Sequence, residues 1–351
     1  MTDVQHNLAE DGAAESARHR RSDYDVTNTV QVSSFSAVSR AVEVLYCEQW
    51  PHTPFEPVAK AFRALERLFS GEDPGFRGVD TIYHDRQHTL DMTLATARLL
   101  VGYERSGPPH LRLGASRAAM GLVTALFHDS GYVRESSAQT PQNGAEYTPS
   151  HVSRSARHLA RCLPAVGLAE WVPIATRIVH YTGYEIPFDQ IQVADERDRK
   201  VGHLIGTGDL IAQMSDRCYL EKCRDRLFPE FVLGGVAQGR DPAGTVRVRY
   251  SSGLDLLRQT PAFYEETVRE RLDGEFGGAY RYVETLFAGR NPYLEAMRQN
   301  QGYLAEVLRT GSWPMLRRNP PVFTFEPDPV PTVRALMLGH LEALWRKDDE
   351  E

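Results

Sequence analysis

The sequence predicts an all-α fold. Apolar residues recur at alternating spacings of three and four over long stretches, which is helix periodicity. No segment of substance alternates apolar and polar residues with a period of two, and Gly/Pro breaks fall at helix-length intervals. Phe55, Val58, Phe62, Leu65 and Phe69 form the clearest stripe.

The 351 residues suffice for one large domain or two ordinary ones with a sizeable core. The chain is 41% hydrophobic and 25% charged, with a formal net charge of −7. That balance excludes a coat of positive charge for nucleic acid, but not a phosphate substrate met by a bound cation. Cys47, Cys162, Cys218 and Cys223 include no C-x-x-C pair and read as reduced, mostly buried thiols. No run approaches the ~20 apolar residues that span a bilayer, and the N-terminus lacks an apolar signal core. A cytoplasmic protein is expected, with no membrane partner.

Residues 1–36 lack a periodic pattern and are expected to form a disordered tail. Helices follow at about 37–47 and 54–70, the second stopped by Gly71. A third runs from Arg86 to Glu104 and ends before Ser106-Gly107-Pro108-Pro109. The next, from about Leu111, ends with His128 before Ser130-Gly131. After a polar loop, Thr148-Pro149 reads as a helix start, with Val152, Ala156, Leu159 and Leu163 as the apolar stripe. Trp171, Ile174 and Ile178 mark a helix closing near Thr182-Gly183. A helix over 200–226 contains Gly202, Gly206 and Gly208, which predict either close backbone approach by a neighbour or a broken helix. Residues 234–250 read as a loop with a short extended piece at 245–248. Helical pattern resumes at 261–287 and 292–308. A Pro-rich break at 319–331 precedes a last helix carrying Val333, Leu336, Leu338, Leu341 and Leu344.

Histidines on apolar faces are usually hydrogen-bonded core or surface residues, and His19, His110, His158, His203 and His340 receive that reading. His84, His88, His128 and Asp129 differ. His84 and His88 are four apart, a same-face spacing on a helix. His128-Asp129 follows the apolar run Ala125-Leu126-Phe127, where a buried carboxylate needs a compensating cation, and a divalent metal beside His supplies one. His151, His180 and Asp209 lie downstream in helix-like sequence.

The segment Tyr83-His84-Asp85-Arg86-Gln87-His88 resembles the Y-H-N-x-x-H motif of cyclic-nucleotide phosphodiesterases, with Asp85 in place of Asn. Ala125 to Asp129 resembles the apolar lead-in and paired residues of the HD superfamily of metal-dependent phosphohydrolases, which also includes the HD-GYP phosphodiesterases. The resemblance spans about residues 80–220 and rests on the ordered set His, His-Asp, His, His, Asp. It departs from the mammalian-type enzymes at Ser130-Gly131-Tyr132-Val133, where those have a further His.

The resemblance implies an HD-domain helical bundle over residues 37–230, with residues 231–351 as a C-terminal helical extension packed on it. It implies two divalent metal ions, roughly 3.5–4 Å apart, that activate a water for in-line attack on phosphorus. His88, His128, Asp129 and Asp209 would hold one metal, Asp129 bridging to a second completed by His151 and His180. Asp216, two turns after Asp209, is a rival last ligand; the Gly-Thr-Gly-Asp context favours Asp209. A His-rich set suits Fe, Mn or Zn better than Mg. His84 would be the general acid for the leaving oxygen, with adjacent Asp85 as its orienting partner. Arg134, Arg154 and Arg177 are candidate phosphate-binding cations, and Gln213 a candidate substrate contact. The partner is then a small-molecule phosphoester, and a homodimer is left open. Two alternatives stand beside the phosphodiesterase reading: an HD-fold mixed-valence di-iron oxygenase resembling myo-inositol oxygenase, and a non-catalytic regulatory protein with a vestigial site. His84, a spare acid that ester cleavage needs and oxygen chemistry does not, favours hydrolysis.

Overall fold

A single helix, buried on all sides, sets the position of everything else. The computed structural model describes residues 20–241 and 243–346, and that central helix is α3 in chain order. Helices α1 (Phe35–Gln49) and α2 (Glu56–Phe69) precede α3 (Arg86–Ser106), α4 (Gly114–Phe127), α5 (His151–Ala165), α6 (Val172–Ile178) and α7 (Glu196–Ser215). The chain continues through α8 (Tyr219–Lys222), a π-helical turn, α9 (Phe228–Leu233), α10 (Gly253–Phe263), α11 (Pro292–Thr310) and α12 (Pro329–Arg346). Among the described residues the one sheet is the antiparallel pair β1 (Gln238–Arg240) and β2 (Val246–Val248), so the fold is all-α. None of the helices is long and apolar enough to cross a membrane.

Helix α3 packs against α1, α4, α7 and the 3-10 segment Ala279–Leu286. That surround explains its sequence. Every residue from Thr89 to Glu104 is buried, so no polar face is needed. The Thr93 hydroxyl satisfies itself on the Thr89 carbonyl at 2.7 Å, and Arg98 pairs with Asp25 at 2.6 Å and with the Tyr293 hydroxyl at 2.7 Å. The stripe of α2 is buried as its spacing predicts, and Gly71 ends the helix at φ +72°.

Several expectations are corrected. Residues 20–36 are not a disordered tail: the Arg20 guanidinium donates to the Ser215 carbonyl, and Asp25 and Val32 are fully buried. Asp25 accepts from the Thr29 and Val30 N–H groups and from Thr27, a polar turn that leaves no hydrophobic period in the sequence. Residues 1–19 of the expected tail lie outside the described residues. Helix α5 begins at His151, not at Thr148-Pro149; the Ser150 hydroxyl does not cap it, and Glu185 instead accepts from Val152 N at 2.6 Å and Ser153 N at 3.0 Å. The single helix over 200–226 is two, because Asp216 leaves the helix to accept from Cys218 N and to pair with Lys222.

The glycines of α7 do mark close approach. A β-carbon at Gly206 would meet the Tyr181 carbonyl and the Phe276 ring, and one at Gly208 would meet Thr96 of α3. Residues beyond 230 share the main core, through Leu257, Phe276, Tyr293 and Met297. A strap at 323–325 runs beside the segment leading into α3. Phe323 N donates to Asp85, Arg86 N donates to the Phe323 carbonyl, and Phe325 N donates to the Val79 carbonyl.

Candidate metal centre

The start of α3, the end of α4, the start of α5 and the middle of α7 meet at one point. Asp85 caps α3, its Oδ1 accepting from Gln87 N at 2.9 Å and His88 N at 3.2 Å, which fixes His88 in the first turn. His128 is the residue closing α4, and its Nδ1 sits 2.8 Å from the Ala125 carbonyl. That contact puts the proton on Nδ1 and leaves the Nε2 lone pair for another partner. His151, first residue of α5, is set in the same way by the Thr148 carbonyl at 2.8 Å.

The ligand atoms converge. One atom each from His88, His128 and Asp129 lies within 4.8 Å of the others, so the three can hold a metal ion. Asp129 Oδ2 is 3.0 Å from His128 Nε2 and 3.3 Å from His88 Nε2; Asp129 Oδ1 is 3.7 Å from His151 Nε2. Asp209 Oδ1 lies 3.3 Å from His88 Nε2 and 3.8 Å from His128 Nε2. Burial opposes charge on Asp129, yet His128 and His88 hold its carboxyl well below the usual range. Burial likewise opposes charge on His88, while Asp129 and Asp209 push it up to about 10.

A direct test of fit lies in the orphaned atoms. His128 Nε2 and Asp129 Oδ2 are buried with no well-formed hydrogen bond. Leaving such groups unpaired costs about 1–3 kcal/mol each, and a cation shared between them removes that cost. The donor set of imidazole nitrogens and carboxylate oxygens suits a transition metal.

His180 is buried on the 3-10 turn Val179–Thr182, and its Nδ1 has no partner. Among the described residues no ion pair or ring contact joins it to the cluster. Asp216 is committed to Lys222 at 2.5 Å, so Asp209 is the aspartate of α7 that faces the histidines.

His84 lies before the cap of α3, not on the helix, yet its ring centroid is 5.7 Å from that of His88. Asp85 does not orient it, since both its oxygens serve backbone N–H groups. Glu230 of α9 does so instead, with Oε2 2.6 Å from His84 Nδ1. Tyr132 is the other residue that sequence reasoning missed. Its buried ring stacks on both His84, at 4.6 Å, and His151, at 4.4 Å. Asp91, one turn after His88, is also buried with Oδ1 unpaired; burial first, then Asp25 and Asp216, push its carboxyl up to about 7.

The three candidate phosphate cations are placed elsewhere. Arg134 is buried in an ion pair with Asp80 and donates to the Pro141 carbonyl. Arg154 donates to the Gly131 and Val133 carbonyls and lies over the Tyr147 ring. Arg177 is exposed, reaching the Gln192 carbonyl at 3.5 Å. All three are close in sequence to presumed ligands, but two are spent on holding the 131–141 loop and the third is exposed. Gln213 does lie beside His88, lining a small pocket with it and accepting from the Tyr83 hydroxyl at 3.2 Å. Compared with models of protein families, with curated proteins and with solved structures, the chain has no match.

Proposed function

We propose that the chain is a metal-dependent phosphohydrolase of the HD type, acting on a phosphodiester more readily than on a phosphomonoester. The observation that supports this above all is the convergence of His88, His128 and Asp129 around two orphaned ligand atoms, with His84 at the rim anchored by Glu230. His88, His128, Asp129 and Asp209 would hold one divalent ion, of Fe, Mn or Zn before Mg. A second would draw on Asp129, His151 and His180. A bound divalent ion supplies a Lewis acid that acidifies water and offsets charge on phosphoryl oxygens.

The chain's own residues supply the rest. With Nδ1 tied to Glu230, His84 keeps Nε2 to pass a proton to the leaving oxygen. Tyr132, stacked on both His84 and His151, limits the rotation of the two rings. The Gln213 amide, whose oxygen is taken by Tyr83, retains N–H donors for a substrate oxygen.

Metal analysis and hydrolysis, measured together, test the reading. The protein is purified without chelator, analysed for metal, and assayed on bis-p-nitrophenyl phosphate and p-nitrophenyl phosphate beside Asp129→Ala. Bound metal, with diester cleavage that the variant loses, is the expected result. Bound iron with oxygen uptake and no ester cleavage would instead establish a di-iron oxygenase. No metal, and no activity after Mn or Fe is restored, would mark a vestigial site.

A further inference from the structure

Away from the metal centre, a cavity of about 130 Å³ lies between the end of α2 and the strap at 323–325. Three aromatic rings wall it, those of Phe69, Phe323 and Phe325, and Arg86 is the single charged side chain in its lining. The Arg86 guanidinium has no ion pair or hydrogen bond among the described residues, and its Nε is buried without a partner. Among the described residues its ring contact is with Phe323, 5.6 Å from Cζ to the centroid. Arg98, Arg134 and Arg154, on neighbouring elements, all have theirs committed to carboxylates or carbonyls. Ser70 adds a hydroxyl to the lining that likewise has no partner among the described residues.

We propose that this cavity binds a small organic carboxylate, its apolar body among the three Phe rings and its carboxylate on Arg86. One guanidinium neutralises one negative charge, and its planar fork matches a carboxylate with two parallel N–H···O bonds. A phosphate dianion would need a second cation, which the lining does not offer. The aromatic walls favour a flat apolar body over a bare inorganic anion. The strap ties the cavity to the start of α3, because Phe323 N donates to Asp85, the residue that caps that helix.

Benzoate is the probe, titrated calorimetrically into the full chain, with benzyl alcohol and inorganic phosphate as competitors. The expected result is saturable binding of one benzoate per chain, weakened about tenfold or more in Arg86→Ala, and displaced by neither competitor. No saturable binding at millimolar benzoate, or equal affinity in a folded Arg86→Ala, overturns the proposal. Displacement by phosphate as effective as by benzoate overturns the assignment to a carboxylate. Should Arg86→Ala not fold, a benzoate-soaked crystal of the unmodified chain decides. A carboxylate on Arg86 supports the site, and benzoate elsewhere or absent refutes it.

Discussion

Glu230 and His84 stand 146 residues apart in sequence and 2.6 Å apart in space. Glu230 Oε2 meets His84 Nδ1, and Oε1 of the same carboxylate accepts the Tyr83 N–H at 2.6 Å. Glu230 is fully buried, so this one side chain fixes both the ring and the backbone that carries it. Glu230→Gln keeps the volume but replaces one acceptor with a donor. It should lower kcat for diester cleavage about 10–100-fold, as loss of an orienting partner does, with KM little changed. His84→Ala should cost about 10²–10⁴-fold, the usual contribution of a general acid. Steady-state kinetics on the two variants checks the order; equal activity of Glu230→Gln and the unmodified chain would remove the orienting role.

Metal binding should be legible as stability. A ligand that binds only the folded chain stabilises it by about 2.7 kcal/mol at a hundredfold excess over Kd. Added Mn or Zn should therefore raise Tm. Asp129→Asn should abolish that rise, because Asp129 Oδ2 lies within 3.3 Å of the Nε2 atoms of both His88 and His128. His180→Ala should keep most of it, since His180 makes no ion pair or ring contact with His88, His128, Asp129 or Asp209 among the described residues. A loss in His180→Ala as large as in Asp129→Asn would place His180 in the principal site. Thermal melts with and without metal decide it.

The stripe of α2 and the placement of His128-Asp129 at a helix end could be read directly, because both rest on local periodicity and a local break. The resemblance to the HD superfamily singles out His88, His128, Asp129 and Asp209, and the fold brings those four together. What the sequence concealed is long-range. Glu230 carries no local sign of its role, and Asp85 looked like its substitute only by adjacency. Arg134 and Arg154 looked like phosphate ligands by the same adjacency, and they serve Asp80 and loop carbonyls instead. Tyr132 was visible beside Ser130-Gly131, but stacking on His84 and His151 is a property of three converging segments. The order of residues 20–36 is illegible in the sequence because Asp25 is satisfied by a polar turn and by Arg98, neither of which leaves a hydrophobic period.

The contact between α3 and α7 should tolerate little added volume. A β-carbon at Gly208 would sit 3.2 Å from Thr96 N and 3.3 Å from Thr96 Cα, and closer still to the Thr96 hydroxyl. Both helices must then separate, and Asp209 and His88 ride on them. Gly208→Val should destabilise by about 1–3 kcal/mol, the range for overpacking a close contact. It should also weaken metal retention. Urea unfolding together with metal analysis tests the pair of effects; unchanged stability would mean that the two helices can move apart freely.

His158 gives a pH signature separate from the metal centre. It is buried on α5 with its ring 5.1 Å from that of Phe76. Burial, with Arg161, Arg154 and Arg157 adding, lowers its pKa to about 4 from an ordinary value of 6.5. Above pH 6.5 both folded and unfolded chains keep the ring neutral, and nothing is lost. As pH falls below 6.5 the unfolded chain takes the proton first, so stability declines until about pH 4, where the folded chain protonates too. A difference of that size corresponds to about 3 kcal/mol across the window. His203, lowered to about 4 by burial and by Lys200 and Arg199, adds a second contribution of the same sign. His158→Gln should therefore remove roughly half of the two-histidine decline between pH 6.5 and 4, while changing stability at pH 7.5 far less. Urea midpoints measured across that range for both chains check the sign. If the two curves ran parallel, the proton uptake on unfolding would have to come from other groups.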